Sequence, residues 1–134
     1  MFMDSGKIAG PALDWAVAEA AGINYAIRNG KIWEKHRVPR TDGLAVSQYT
    51  MTEYNPSTNP TLAYPIVETE KYNSTWLPKQ QEWYAVRVQH ATDGFQTHCG
   101  FGRTRLIAEM RCFVASRLGY QIDVPDELIL LNHA

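Results

Sequence analysis

The stretch from Gly102 to Gly119, GRTRLIAEMRCFVASRLG, is the longest helical pattern in the chain, and any fold must house it. At 100° per residue, with Leu106 at zero, Ile107, Met110, Phe113, Val114 and Leu118 fall in one arc. Ala108, Cys112, Ala115 and Ser116 fall on the opposite side. One face is bulky and apolar, the other small. Small residues admit a close backbone, so the pattern predicts a helix covered on both sides, by the chain's own sheet and by either another helix or a second copy. Thr104 is an acceptable N-cap and Gly119 a fitting C-terminal stop.

A chain of 134 residues is one domain's worth, 1–134, long enough to bury roughly two thirds of the surface its unfolded form exposes. Apolar residues make up 45%, and the net charge is −1. A near-neutral chain sets up no field that draws nucleic acid or anionic membrane non-specifically, which argues against direct nucleic-acid binding. Charge is nonetheless uneven: between Arg103 and Arg117 there are four Arg and one acid, Glu109. Two Cys, Cys99 and Cys112, are too few for a disulfide framework. With no apolar leader and no run of roughly 20 apolar residues, the expected setting is reducing and cytoplasmic.

Residues 1 to 10 carry little pattern and predict a frayed start. From Pro11 the spacing turns helical, with Leu13, Val17, Ala20 and Ala21 on one face and Gly22 at the stop. Trp15 lies nearly opposite Leu13, so it is either covered by later loops or a contact residue. Asn29-Gly30 then marks a hairpin, because a type I′ turn needs positive φ at both central residues. That turn sets Arg28 opposite Lys31, Ile27 opposite Ile32 and Ala26 opposite Trp33, with the isoleucines toward the core.

Residues 36 to 43, with Pro39 and Gly43, read as a loop, and Leu44 to Thr52 as a strand. The cluster from Tyr54 to Pro60 is an ordered turn. Pro65 to Glu68 reads as a short strand, on which Glu68 and Glu70 share a face. Lys71 to Gln81 reads as a loop around Trp76, Trp83 to Gln89 as a strand, Asp93-Gly94 as a turn, and Ile122 to Leu131 as a helix packed on the core. The fold class expected is α+β: one antiparallel sheet of four to five strands from residues 24 to 90, packed on a long C-terminal helix with a shorter N-terminal helix beside it. The small face of helix 103–118 predicts a homodimer.

Three segments together resemble a known family. They are Leu13-Asp14-Trp15-Ala16-Val17-Ala18; Tyr54-Asn55-Pro56-Ser57-Thr58 with Pro65-Ile66-Val67-Glu68; and the run from Arg105 to Gly119 with Val124-Pro125-Asp126-Glu127-Leu128. They resemble the NinX-like family of bacteriophage and prophage proteins, over about residues 11 to 130. The resemblance implies a small accessory protein of the infected bacterial cytoplasm, with no catalytic chemistry and no cofactor to carry over. It also implies a Trp after the Ser-Thr pair, Gly-Gly before the Pro-Ile pair and Pro at position 105. This chain has Pro60-Thr61, Ala63-Tyr64 and Arg105 instead.

Chemistry is sparse. His90, His98, Cys99 and Cys112 lack the paired spacing of a structural zinc site, so no metal is expected. No nucleophile elbow is present, and an enzyme is disfavoured. The start of the long helix offers more. Gly102, Arg103, Thr104 and Arg105 bring backbone N–H groups, the positive end of the helix dipole, a hydroxyl and two guanidinium groups, which suit a phosphate. Tyr54, Trp76, Trp83 and Phe101 supply aromatic side chains that could stack on a base, and Tyr54, Ser57, Thr58 and Trp76 complete the expected site. The bland alternative is that the arginines are solvated or form salt bridges. Two functions follow: capture of a small nucleotide-like host signal, which would counter host defence, or docking on a host or phage factor through exposed Trp15, Trp33 and Trp76.

Overall fold

The computed structural model describes residues 1–38, 48–91 and 94–132. Strand β1 (Phe2–Asp4) precedes helix α1 (Gly10–Ala21), strands β2 (Tyr25–Arg28), β3 (Lys31–Val38) and β4 (Gln48–Glu53), and helix α2 (Pro60–Glu70). Then come strands β5 (Asn73–Leu77), β6 (Glu82–Ala91) and β7 (Gly94–Gly102), helix α3 (Arg105–Leu118), strand β8 (Gln121–Asp123) and helix α4 (Asp126–Asn132). The class is α+β and every pairing is antiparallel.

The single sheet expected is instead three small ones among the described residues, ordered β1–β8, β2–β3–β4 and β5–β6–β7. The physical reason is α2. It stands between β4 and β5 in the chain, so the two meanders close as separate ladders. Nor is the long helix the C-terminal element, because β8 and α4 follow it.

Local chemistry placed several elements correctly. Pro11 sits in the first turn of α1, and Gly22 caps it at φ 71°, its N–H returning to Ala18 and Glu19 carbonyls. The hairpin has the expected register, Ala26 against Trp33, Ile27 against Ile32 and Arg28 against Lys31, with Asn29 and Gly30 at φ 52° and 70°. Ile32 is buried. Thr104 caps α3, its Oγ1 accepting from Ile107 N at 3.1 Å, and Gly119 N–H closes the last turn on Ala115 O.

Helix α3 is the centre of the core. Met110, Phe113 and Val114 on its bulky face are buried, and so are Ala108, Cys112 and Ala115 on its small face. Strand β7 fills the small face. A methyl group built on Gly100 would lie 2.3 Å from the Ala108 carbonyl oxygen and 2.6 Å from Cys112 N, and one on Gly102 would lie 2.6 Å from Ile107 Cγ2. The glycines therefore allow strand and helix to touch along this face. Cys112 Sγ donates to the His98 carbonyl of the same strand at 3.2 Å.

Three further expectations change. The first ten residues are ordered: β1 pairs with β8, and Ser5 and Ile8 are fully buried. Pro65 to Glu68 lies inside helix α2, capped by Asn59 and begun by Pro60, with Ala63 and Glu70 on its buried side. Trp76 lies on strand β5, opposite Trp83, not in a loop. Residues 36–38 end β3 and residues 48–53 form β4, while Pro39, Gly43, Leu44 and Asp93 lie outside the described residues.

Candidate functional site

Two of the residues expected to form one site line cavities on either side of α2. Tyr54 lines the larger, of about 540 Å³, and Arg105 the smaller, of about 300 Å³. Gly102 is buried against α3, and the Thr104 hydroxyl oxygen accepts from Ile107 N as the helix cap. Arg103 is exposed, and Arg105 Nε lies 3.4 Å from Glu109 Oε1. Arg111, in the same cationic run, is committed to the fold, its Nε donating to Ile8 O at 2.9 Å and its Nη1 to Phe101 O at 2.7 Å.

Ser57 is buried by the turn that holds it, its N–H donating to Asp14 Oδ1 at 2.9 Å. Thr58 is exposed and spends its hydroxyl on Asn55 O at 3.4 Å. Trp76 is 42% exposed and meets Trp83 edge-on, with 5.8 Å between ring centroids. Trp15 and Trp33 are not free anchors. Trp15 is buried and donates to Tyr25 Oη at 2.8 Å, and half-buried Trp33 donates to Arg28 O at 3.2 Å.

The Asp14–Ser57 link ties α1 to the middle turn, and it carries a titration. Burial pushes the Asp14 carboxyl from its ordinary 3.8 up to about 6, against the pull of the Ser57 hydrogen bond. The folded state thus holds this proton more tightly than the unfolded state. Stability contributed here is present at low pH and is lost as pH rises from about 4 to about 6. Asp14→Asn keeps the acceptor and removes the buried charge. We expect it to exceed the parent's stability at pH 7 by up to about 3 kcal/mol, with the gap closing below pH 4. Urea unfolding of both proteins from pH 3.5 to 7 checks this, and a gap that does not change with pH would refute it.

The larger cleft has an apolar wall and a polar rim. Ala20 and Ala21 of α1, Ile23 just after it, Leu62, Pro65 and Ile66 of α2 and Phe113 of α3 line it. Glu34, Thr61, Thr69 and Arg117 supply the polar edge. At the base lies Glu70, only 5% exposed, its Oε2 2.7 Å from Arg87 Nε and its Oε1 paired with Arg117. Arg117 also lies over the Phe113 ring, 5.5 Å from the centroid. The Tyr54 phenol is pushed up to about 12, by burial first and then by the nearby Glu34 and Asp14 charges, so it stays a neutral hydroxyl. Such a cavity is suited to holding a small molecule with an apolar body and a polar edge.

Sequence reasoning missed Glu34, Glu70 and Arg117 as a group, because they come from β3, α2 and α3. A signal for α2 did exist. Asn59-Pro60 is a cap followed by a first-turn proline, and Ala63, Ile66/Val67 and Glu70 recur at helical spacing.

Among the described residues no three His, Cys, Asp or Glu side chains are grouped to hold a metal ion, and no helix is long and apolar enough to cross a membrane. Burial pushes the Cys112 thiol up to about 12, which keeps it protonated and unreactive. Against known families, residues 5–117 match the model described as Bacteriophage P22, NinX. No curated protein matches the chain. The matched segment contains every residue lining both cavities.

Proposed function

This chain belongs to the bacteriophage P22 NinX family, and from that premise we propose that it is a non-catalytic phage accessory protein whose larger cleft captures a small nucleotide-like molecule of the host. In this reading it works in the infected bacterial cytoplasm, and sequestering a phosphate-bearing defence signal protects the phage. The observation that carries the reading is the cleft itself. Its apolar wall with Phe113 and Tyr54 suits a base and sugar, and Arg117, with its side chain 46% exposed, stands at the rim where a phosphate would reach solvent. Capture needs no nucleophile. Glu34 and Glu70 oppose a highly charged ligand, which favours one phosphate near Arg117 over a polyphosphate.

A thermal-shift screen against mononucleotides and cyclic nucleotides tests this. A ligand at 100 times its dissociation constant stabilises the native state by roughly 2.7 kcal/mol, several degrees for a domain of this size. We expect Arg117→Ala to lose the shift and Arg103→Ala/Arg105→Ala to keep it. A shift lost only in the latter pair would return the site to the start of α3, and no shift with any nucleotide would end the capture reading.

One observation favours a second reading, docking on a host or phage factor. Because Gly100 and Gly102 face α3, the alternate residues of β7 face outward. Phe101, 41% exposed, packs there on Tyr84 with centroids 5.0 Å apart. Phe101→Ala reducing recovery of a specific factor from infected cells, with thermal stability unchanged, would support it.

A further inference from the structure

The sheet of β2, β3 and β4 has two unlike faces. On one, Tyr25 and Ile27 pack against the core, Ile32 is buried in it, and Glu34 lines the larger cleft. Side chains alternate along a strand, so Arg28, Lys31, Trp33, Lys35 and Arg37 stand on the other face. The register with β4 sets Glu53 beside Trp33, Met51 beside Lys35 and Tyr49 beside Arg37 on that same face. Among the described residues it therefore carries four cations, two aromatic rings and one acid.

This face is open. Arg28, Lys31, Arg37 and Glu53 are exposed, and Tyr49 is 56% exposed. Trp33, although half-buried, does not join the residues packed on the core. Its ring is held by the N–H bond to Arg28 O, so little freedom is lost when a flat group stacks on it. Glu53 offsets only Lys31, with Nζ 3.7 Å from Oε1, and both side chains are wet enough for a phosphate to take the carboxylate's place. The net charge of −1 sets the field far from the protein. A phosphate within the Debye length of about 8 Å meets the local cations instead.

The aromatic rings decide the kind of anion. An acidic peptide uses the cations alone, whereas rings interleaved with cations suit unpaired bases, whose faces a duplex hides. Alternate residues of a strand lie roughly 7 Å apart, so Trp33 and Tyr49 stand roughly 14 Å apart along the sheet, with Lys35 between them. An extended strand can stack on both and keep its phosphates beside the cations. We propose that this face binds single-stranded nucleic acid, with Trp33 and Tyr49 stacking on bases and Arg28, Lys31, Lys35 and Arg37 meeting phosphates. The proposal is independent of the larger cleft, which lies on the opposite face of β3.

Fluorescence anisotropy of the full chain with labelled oligothymidylate and oligouridylate of about 12 nucleotides tests it. The parent is expected to bind at least one of them, less tightly as salt rises from about 50 to about 200 mM, and to bind a duplex of equal length at least tenfold more weakly. Arg28→Ala/Lys35→Ala is expected to weaken binding at least tenfold and to lower the salt slope by about 1.4, the share of two phosphate contacts on a single strand. Should the double variant lose cooperative melting, Arg28→Ala alone is expected to lower the slope by about 0.7. Tyr49→Ala is expected to weaken binding about fivefold or more with the slope unchanged, the mark of stacking rather than charge. Arg117→Ala should leave oligonucleotide binding as it is. Failure of the parent to bind either oligonucleotide overturns the proposal, as does duplex binding as tight as single-strand binding or a salt slope that neither cation variant changes. A glutamate-rich peptide that displaces the oligonucleotide and binds Tyr49→Ala as well as the parent also overturns it, and gives the face to an acidic protein. Oligonucleotide binding alongside a failed mononucleotide screen would sink only the cleft reading.

Discussion

Gly100→Ala is expected to be the most damaging single-methyl change in the chain, lowering stability by about 3 kcal/mol or more. The methyl would stand 2.3 Å from the Ala108 carbonyl oxygen, 2.6 Å from Cys112 N and 3.2 Å from the Arg111 carbonyl carbon. All three are backbone atoms of α3, so no side chain can rotate away. Relief would require moving β7 off the helix, and that contact is the centre of the core, with Ala85, Ala108 and Cys112 all buried. Gly102→Ala is expected to cost less, since only one of its three nearest atoms, Ala108 N at 2.8 Å, is backbone and the other two belong to the Ile107 side chain. Thr75→Ala, at an exposed site on β5 of the same sheet, should stay within about 0.5 kcal/mol of the parent. Urea unfolding of the three variants decides the matter. A Gly100→Ala protein with an unchanged midpoint would mean that β7 and α3 are not in contact.

Glu70→Ala is the second large effect, about 3 kcal/mol, because it removes a buried carboxylate that pairs with both Arg87 and Arg117 and leaves the space it fills empty. The Glu70 side chain is 2% exposed and that of Arg87 23%, so little water replaces the lost partner. Arg117→Ala should cost about 1 kcal/mol or less, since its side chain is 46% exposed and Glu70 keeps Arg87. The order of the two effects is the prediction. Equal losses would mean that Arg117, not Arg87, is the partner that anchors Glu70. Because Glu70 forms the base of the larger cleft, the experiment also shows whether ligand capture survives loosening of that base.

Elements with local cues were legible in the sequence. The Thr104 cap and Gly119 stop bounded α3, Pro11 and Gly22 bounded α1, and Asn29-Gly30 set the register of its hairpin. Each of those cues acts within a few residues, through a hydrogen bond or a positive φ, and needs no distant partner. Where propensity competed with context, the reading failed. Pro65, Ile66 and Val67 favour extended backbone, but burial of Ala63 and Glu70 on one side holds them in a helix. The first residues, with little pattern of their own, are ordered by pairing with β8, more than a hundred positions away.

The candidate site followed the same division. Arg105 and Tyr54 could be singled out by residue type, but not the cavities they line, nor that α2 stands between those cavities. Gly102 opens the helix start in sequence; in the fold it and Gly100 also let a strand lie against Ile107, Ala108 and Cys112. The sequence by itself determined the α+β class, the two longest helices, the hairpin register and the family, because these rest on short-range periodicity and contiguous motifs. Only the tertiary structure decided how the strands group into sheets, which tryptophans are covered, and that Glu34, Glu70 and Arg117 share a cleft. Those depend on which distant segments exclude water from each other, and no local spacing encodes that.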